Sequence, residues 1–161
     1  MKLVVMGVSG CGKSSVGELL AQEIGAVFID GDDLHPALNK EKMSSGVPLN
    51  DDDRWPWLEA VGTSLENAEN VVVACSALKK IYRDKILAQA PATRFIHLHG
   101  SKELLLSRIG NRTSHFMPST LLDSQLQTLE MMDPSEPGKV FDIAKPIEEL
   151  VEEAKTWIDS Q

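Results

Sequence analysis

The segment from Gly7 to Ser14 matches the pattern G-x-x-x-x-G-K-[ST] and lies between an apolar run and an amphipathic run. In such a loop, glycines let consecutive backbone N–H groups converge on phosphate oxygens, and the start of the next helix adds partial positive charge. Lys13 would bridge the β- and γ-phosphates of a nucleotide, and the Ser14 hydroxyl would hold Mg²⁺. A glycine-rich turn without a ligand is the alternative, but it gives Lys13 and Ser14 no packing purpose. The predicted contacts to ATP are Gly7, Val8, Ser9, Gly10, Cys11, Gly12, Lys13, Ser14 and Ser15.

An acidic cluster, Asp30-Gly31-Asp32-Asp33, follows the second apolar run. The carboxyl ends of strands in a parallel sheet are where ligands bind, so these acids should face the same crevice as the phosphate loop. We expect Asp30 to hold the metal through a bound water, and Asp32 to accept or position the hydroxyl proton of a phosphoryl acceptor. Asp33 is interpreted as a helix cap or a solvated charge. Without a phosphate loop nearby, such a run would more often be a turn or a cap.

Two other classes of nucleotide-binding protein fit poorly. A motor or switch ATPase needs an apolar strand that ends in Asp, whereas the run from Val71 to Ala74 ends in Cys75-Ser76. A GTPase needs the motif N-K-x-D, and the segment from Asn39 to Lys42 has the wrong fourth residue. The phosphate loop and the acidic cluster instead suit phosphoryl transfer to a hydroxyl group of an acceptor.

Composition sets the wider limits. Sixteen Lys and Arg against 24 Asp and Glu give a net charge of -8, which argues against a nucleic-acid partner. No apolar run approaches the roughly 18 residues of a membrane span, and the apolar N-terminal stretch is too short for a signal peptide. Cys11 and Cys75 lack metal-ligand spacing, so we expect a reduced, cytoplasmic setting.

Short β-branched runs alternate with longer amphipathic segments over the 161 residues, which predicts one α/β domain. We expect a five-stranded parallel sheet with helices on both faces. The predicted strands are 2–6, 26–30, 70–75, 93–98 and 139–143. Helices are predicted after the first strand, at the C-terminus, and over about 36–43, 52–67, 78–89, 102–109 and 119–130. Ser76 is a candidate cap for the helix predicted to begin at residue 78.

Taken in order, these motifs resemble a known family. The phosphate loop, the segment 30–36, the long stretch 42–58, the run 75–84 and His115-Phe116-Met117-Pro118 together resemble the small, phosphate-loop type of gluconokinase. The first motif is shared by many unrelated enzymes, but the stretches 42–58 and 75–79 are specific to this family. The resemblance implies a nucleoside-monophosphate-kinase-like fold, a phosphate-loop kinase with a short lid, that transfers the γ-phosphoryl group of ATP to the 6-hydroxyl of D-gluconate. It also makes a homodimer plausible.

The resemblance further implies which residues hold the sugar acid. Asp32, Arg54, Lys79 and Arg83 would contact it, and His35 could add a hydrogen bond. Arginine suits a carboxylate because its planar fork donates two parallel N–H bonds. Lys79 and Arg83 are four residues apart, so on a helix they would share a face; the plainer interpretation is a solvated basic stripe. For Arg54 the plainer interpretation is a surface ion pair with one of Asp51 to Asp53.

A basic cluster, Arg108, Arg112 and His115, surrounds Gly110-Asn111. We expect a lid over about 108–118 that closes over ATP, with one arginine on adenine and the other on phosphate. Arg112 is therefore a catalytic candidate beside Lys13 and Asp32, and His115 a substrate candidate. The plainer interpretation is an exposed basic loop. The rival functions are a kinase of the same fold acting on shikimate or a nucleoside monophosphate, and a nucleotide-binding regulator without transfer activity.

Overall fold

Every run that the sequence predicts as a strand is a strand in the computed structural model, which describes residues 1–110 and 119–161. The observed bounds differ from the predicted ones by at most one residue, because β-branched runs enclosed by turn residues are a strong local signal. The strands are β1 (Lys2–Met6), β2 (Val27–Asp30), β3 (Val71–Ala74), β4 (Arg94–His99) and β5 (Gly138–Asp142).

The five strands form one parallel sheet in the order β2-β3-β1-β4-β5. The central strand β1 carries the phosphate loop at its carboxyl end, and in the register Val4 lies beside Val73 on one side and Phe95 on the other. All strands therefore end at the same edge of the sheet. The predicted α/β architecture is confirmed.

Helices cover both faces of the sheet. Within the described residues they are α1 (Lys13–Ile24), α2 (Ala37–Ser44), α3 (Asp51–Asn67), α4 (Lys80–Gln89), α5 (Lys102–Gly110), α6 (Ser119–Thr128) and α7 (Ile147–Asp159). Alternate residues of β1 serve the two cores: Leu3 and Val5 pack on the side of α1 and α7, whereas Val4 and Met6 pack on the side of α3 and α4. None of the described helices combines the length and the apolar character needed to span a bilayer.

Two local expectations are wrong, both at the start of α4. The helix begins at Lys80 rather than residue 78, and Lys79 is its N-cap residue without a capping side-chain hydrogen bond, so Ser76 does not cap it. The physical reason is the backbone before it: Ala77 has a left-handed conformation with a φ of 44°. A non-glycine residue in that region is strained and interrupts a helix.

Candidate active site

The glycines of the phosphate loop have positive φ values, at which other residues are strained. Gly7 has a φ of +148°, and a Cβ there would lie 2.6 Å from the carbonyl oxygen of Leu98. Gly12, with a φ of +92°, is the N-cap residue of α1 and provides no capping side chain. The first N–H groups of an α-helix have no partner within the helix. These unpaired donors at the start of α1 are suited to phosphate oxygens.

Lys13 lies over this loop. Its Nζ donates hydrogen bonds to the carbonyl oxygens of Gly7 and Val8, at 3.0 and 3.2 Å. Ser14 and Ser15 follow in the first turn of α1 with exposed side chains. The ammonium group is thus already held at the loop, and a bound phosphate would offer it an anionic acceptor in place of these neutral ones.

The side-chain oxygen atoms near the phosphate loop are suited to a nucleotide that carries Mg²⁺. In residues 1–110 and 119–161 there is no group of three or more His, Cys, Asp or Glu side chains that could hold a metal ion. Mg²⁺ in kinases is usually bound through one or two side-chain oxygens, substrate phosphates and waters, rather than by an all-protein cage. The Ser14 hydroxyl and the Asp30 carboxylate are oxygen donors of that kind.

The acidic cluster after β2 forms a 3₁₀ turn, Gly31–Leu34. Asp30 is its N-cap, and Asp30 Oδ1 accepts a hydrogen bond from the backbone N–H of Asp32 at 3.0 Å. Asp30 is thus the cap of this turn, and Asp33 is exposed, as expected of the solvated charge that is one of its two predicted roles. A Cβ on Gly31 would lie 2.3 Å from the carbonyl oxygen of Ala74, so only glycine allows the turn to pack this closely against the end of β3.

Two side chains expected to act in catalysis lie near one buried thiol. Burial raises the pKa of Cys75 to about 12; among the smaller influences, the charge of Asp32 raises that pKa and the charge of Lys13 lowers it. Asp32 is exposed at the surface, whereas Cys75 is fully buried beneath. Lys13 follows β1 and Asp32 follows β2, and the charges of both act on Cys75 at the end of β3. The Cys75 thiol itself stays protonated and unreactive.

A cleft of about 570 Å³ opens between the start of α3 and helix α6. Arg54 and Lys79 both line it, as do Tyr82 and, from α6, Ser124 and Thr128. Asn50 caps α3 through a capping box with Asp53, which fixes the helix start that presents Arg54. The structure therefore brings two of the predicted acceptor-binding cations to one cleft.

Asp51 and Tyr82 organise these two cations. The Tyr82 hydroxyl donates to Asp51 Oδ1 at 2.5 Å and accepts from Arg54 Nη1 at 3.1 Å. Asp51 Oδ1 is 3.7 Å from Arg54 Nη1 and 3.6 Å from Lys79 Nζ. The guanidinium carbon and the ammonium nitrogen lie 5.3 and 5.6 Å from the centroid of the Tyr82 ring. The ion pair between Arg54 and Asp51 is thus present, inside the cleft.

The pKa values in this cluster follow from the same contacts. The hydrogen bond from Tyr82, followed by the charges of Lys79 and Arg54, lowers the pKa of Asp51. Burial, followed by the hydrogen bond to Asp51, raises the pKa of Tyr82 to about 12. Asp51 is therefore ionised and Tyr82 protonated at neutral pH. Both residues belong to the segments that carry the family resemblance, but neither is among the predicted site residues.

His35 lies at the side of the 3₁₀ turn rather than in the cleft. Its ring stacks on Trp57 at 4.2 Å between centroids, and its Nδ1 accepts from Asn39 Nδ2 at 3.2 Å. Burial, followed by the charges of Arg54 and Lys40, lowers the pKa of His35 to about 4. The side chain is neutral near pH 7, so His35 could offer a hydrogen bond but no positive charge. Trp57 is held in turn by donating to the Gly31 carbonyl oxygen at 2.8 Å.

The expectation that Arg83 contacts the acceptor is wrong. Its side chain is fully buried, and all five N–H donors are engaged within the protein. Nε and Nη2 bond to the Glu136 carboxylate, at 2.6 and 3.3 Å, and Nη2 also donates to the Glu130 carbonyl oxygen. Nη1 donates to the carbonyl oxygens of Ala77 and Leu78. Because Lys79 precedes α4 rather than starting it, the two side chains do not share a helix face.

Arg83 instead supports the loop between β3 and α4. The carbonyl groups that it binds belong to strained Ala77 and its neighbour. Just before them, the Ser76 carbonyl oxygen accepts from the Gly7 N–H at 3.3 Å, so this loop also contacts the phosphate loop. The buried ion pair therefore fixes the segment that presents Lys79.

The predicted lid falls largely outside the described residues. Arg112 and His115 are among residues 111–118, which the structure does not describe. Arg108 lies at the end of α5 and donates to the carbonyl oxygen of Ile143, in the loop between β5 and α7. Arg108 is thus at the same edge of the sheet as the phosphate loop, and its contact with adenine or phosphate stays a prediction.

The sequence and the structure of the chain are both similar to those of gluconokinases. The AAA domain family model matches residues 3–132. A probable gluconokinase of Xenopus tropicalis is 44% identical, covering 99% of this chain and 94% of that protein. The crystal structure of a gluconokinase from Sinorhizobium meliloti 1021 superposes with a TM-score of 0.89 at 55% identity, over 95% of this chain and 88% of that one. A shikimate kinase of Aquifex aeolicus, at 18% identity and a TM-score of 0.65, covers 99% of this chain and 97% of its own; it shares the fold.

Proposed function

We infer that the chain, which belongs to the AAA domain family and to the gluconokinases, is an ATP-dependent kinase that phosphorylates gluconate. We propose further that the γ-phosphoryl group goes to the 6-hydroxyl of D-gluconate. The observation that carries this is the cleft that Arg54 and Lys79 both line, because Lys79 follows the loop whose Ser76 carbonyl oxygen accepts from the Gly7 N–H.

The cations of the cleft support transfer to the 6-hydroxyl. Gluconate has its carboxylate at one end of the carbon chain and its primary hydroxyl at the other. If Arg54 and Lys79 bind the carboxylate, the opposite end of the substrate extends away from them. Hydrogen-bonding groups of the cleft, including Ser124, would face the hydroxyls between. The 6-hydroxyl is then the group that reaches the phosphate loop.

At the phosphate loop, each side chain has a separate task. The N–H groups at the start of α1 and the Lys13 ammonium would bind the phosphates of ATP. Ser14 and Asp30 would hold Mg²⁺, which neutralises charge on the phosphates when bound. Asp32 would accept the proton of the 6-hydroxyl as that oxygen attacks phosphorus. Phosphoryl transfer requires little covalent work of the protein, so positioning and charge neutralisation supply most of the rate.

Further proposals concern the lid, the oligomeric state and the location of the protein. Arg108 and Arg112 are proposed to contact ATP, with Arg112 stabilising the transferring phosphoryl group and His115 near the acceptor. A homodimer and a cytoplasmic location are proposed as well; both Cys11 and Cys75 are free and buried, as a reducing compartment permits.

A coupled assay of ADP release tests the function directly. Purified protein with ATP and Mg²⁺ is given gluconate, shikimate, AMP or no acceptor. We expect ADP release that depends on gluconate, and a product with phosphate on carbon 6 by ³¹P and ¹³C NMR. Preference for shikimate or AMP, or no acceptor-dependent turnover, would reject the proposal; phosphate on another carbon would reject the regiochemistry alone.

Asp32→Asn tests the proposed base. The amide keeps the size of the side chain but cannot take a proton, so we expect kcat to fall by about 100-fold or more, within the range of general-base contributions. ATP affinity, measured by calorimetry, should change little. Asp33→Asn, at an exposed neighbouring position, is the matched control. Near-normal turnover in Asp32→Asn would remove Asp32 from this role.

A further inference from the structure

Helix α6 presents different residues on three sides. Leu122 and Leu126 pack into the core on the α1 side of the sheet. Ser124 and Thr128, one turn apart, line the cleft that contains Arg54 and Lys79, which we call the acceptor cleft. Gln125 lies on neither of these sides and contacts the phosphate loop. One helix therefore connects the acceptor cleft with the nucleotide-binding loop.

The contact is a hydrogen bond from the backbone N–H of Ser9 to Gln125 Oε1, at 2.7 Å. Ser9 is the third residue of the loop, and both partners are half-buried. Because a backbone N–H can bond only to an acceptor, the oxygen end of the carboxamide must face Ser9. The two N–H donors on Nε2 are then directed elsewhere. Within residues 1–110 and 119–161, Nε2 makes no hydrogen bond.

We propose that Gln125 is a positioning residue for the terminal phosphoryl group of the nucleotide, with its Nε2 as the donor. Ser9 fixes the orientation of the carboxamide from the loop side, and α6 brings it from the acceptor side. The terminal phosphoryl group is the one that faces the acceptor, so a donor between Ser9 and the cleft is directed at that group rather than at the phosphates nearer the start of α1. The proposal rests on the proposed kinase function.

A neutral amide suits this position. Lys13 and the helix start already supply positive charge to the phosphates, and phosphoryl transfer needs its oxygens oriented as well as neutralised. Gln125→Glu keeps an oxygen that can accept from Ser9 but replaces the donor by a second, negatively charged acceptor. This single exchange therefore separates the contact to the loop from the proposed contact to the phosphoryl group.

The experiment compares nucleotide affinities by calorimetry. A non-hydrolysable ATP analogue and ADP are titrated, each with Mg²⁺, into wild type, Gln125→Glu, Gln125→Met and Gln127→Glu. Gln127 is exposed on the same helix, so Gln127→Glu is the matched control for added charge. We expect Gln125→Glu to weaken the ATP analogue by about 10-fold or more and ADP by at most about 3-fold, as losing a hydrogen bond to a charged group would. Gln125→Met should show the same preference to a smaller degree.

Kinetics provide the second readout. For Gln125→Glu, kcat should fall at least as far as the affinity for the ATP analogue, while the KM for gluconate changes by less than about 3-fold. Equal losses for ADP and the ATP analogue, or no loss for either, would overturn the proposal, because a purely structural contact does not distinguish the two nucleotides. If wild type fails to phosphorylate gluconate while the ATP analogue is still selectively weakened, the acceptor assignment fails and the role of Gln125 stands.

Discussion

Replacing Arg83 by methionine should destabilise the protein severely without removing a contact to the substrate. Arg83 and Glu136 are 0% and 3% exposed at their side chains, and the closest pair of charged atoms is 2.6 Å apart. The substitution leaves the Glu136 carboxylate buried without its counter-charge, and it removes a donor from the carbonyl groups of Ala77, Leu78 and Glu130. Breaking one side of a buried ion pair costs about 3–5 kcal/mol.

That cost is large compared with the whole stability of a domain, which is typically about 5–15 kcal/mol. Most of it comes from the stranded carboxylate, so Glu136→Leu in the same chain should restore part of the loss. We expect the double variant to be more stable than the sum of the two single effects predicts, by about 1–3 kcal/mol, since the two side chains are in direct contact. The orphaned carbonyl groups keep it below wild type.

The assay is urea denaturation followed by tryptophan fluorescence, with the free energy of unfolding extrapolated to zero denaturant. Lys80→Met is the matched control, because Lys80 pairs with Asp84 on the same helix but both are exposed, and we expect no measurable change. The KM for gluconate is measured for each folded variant. If Arg83→Met raises that KM by 10-fold or more and leaves the unfolding curve unchanged, Arg83 binds substrate and the structural role is refuted.

Two further predictions concern the cleft and acid stability. Arg54→Lys keeps the charge but loses the planar guanidinium group and its hydrogen bond to Tyr82. In steady-state kinetics the KM for gluconate should therefore rise by about 10-fold, while the KM for ATP is unchanged. A gluconate KM within 2-fold of wild type would contradict this. His35 and His97 both have pKa values lowered to about 4 from an ordinary 6.5, chiefly by burial. Folding favours the neutral form of each histidine. The contribution of each to the free energy of unfolding is therefore complete above about pH 6.5, and roughly 3 kcal/mol of it is lost as the pH falls toward 4. Urea curves at pH 7 and pH 4.5 measure the loss, and equal stability at both values would refute it.

The parts of the site that could be predicted are those encoded in short contiguous segments. The phosphate loop needs glycines, a lysine and a serine within eight positions, so its pattern is recognisable from one segment, although the Leu98 carbonyl oxygen is what leaves no room for a Cβ at Gly7. The start of α3 is similar, because the Asn50 cap and the acids after it act within one helical turn. Where backbone geometry and chemistry depend on near neighbours, the sequence indicates both.

The parts that sequence reasoning missed depend on distant partners. Arg83 resembles a surface cation until Glu136, 53 positions later, folds against it. Gln125 contacts Ser9 across 116 positions, and no periodic pattern marks it. The strained conformation of Ala77 also has no local signal, since alanine normally favours a helix. The predicted helix start at residue 78 therefore failed for the same reason as the predicted role of Arg83.

The acidity of the chain and the proposed binding of anions are compatible because the cleft differs from the average surface. The chain carries a net charge of -8, yet within residues 1–110 and 119–161 the charged residues that line the cleft are two cations, Arg54 and Lys79, and two acids, Asp51 and Asp52. Asp51 already accepts a hydrogen bond from the Tyr82 hydroxyl, so the two cations are not its only hydrogen-bond donors. An incoming carboxylate would share Arg54 and Lys79 with Asp51 rather than meet an unscreened positive patch. We expect such a site to favour a monoanion over a doubly charged phosphate, and gluconate and a nucleoside monophosphate differ in this charge.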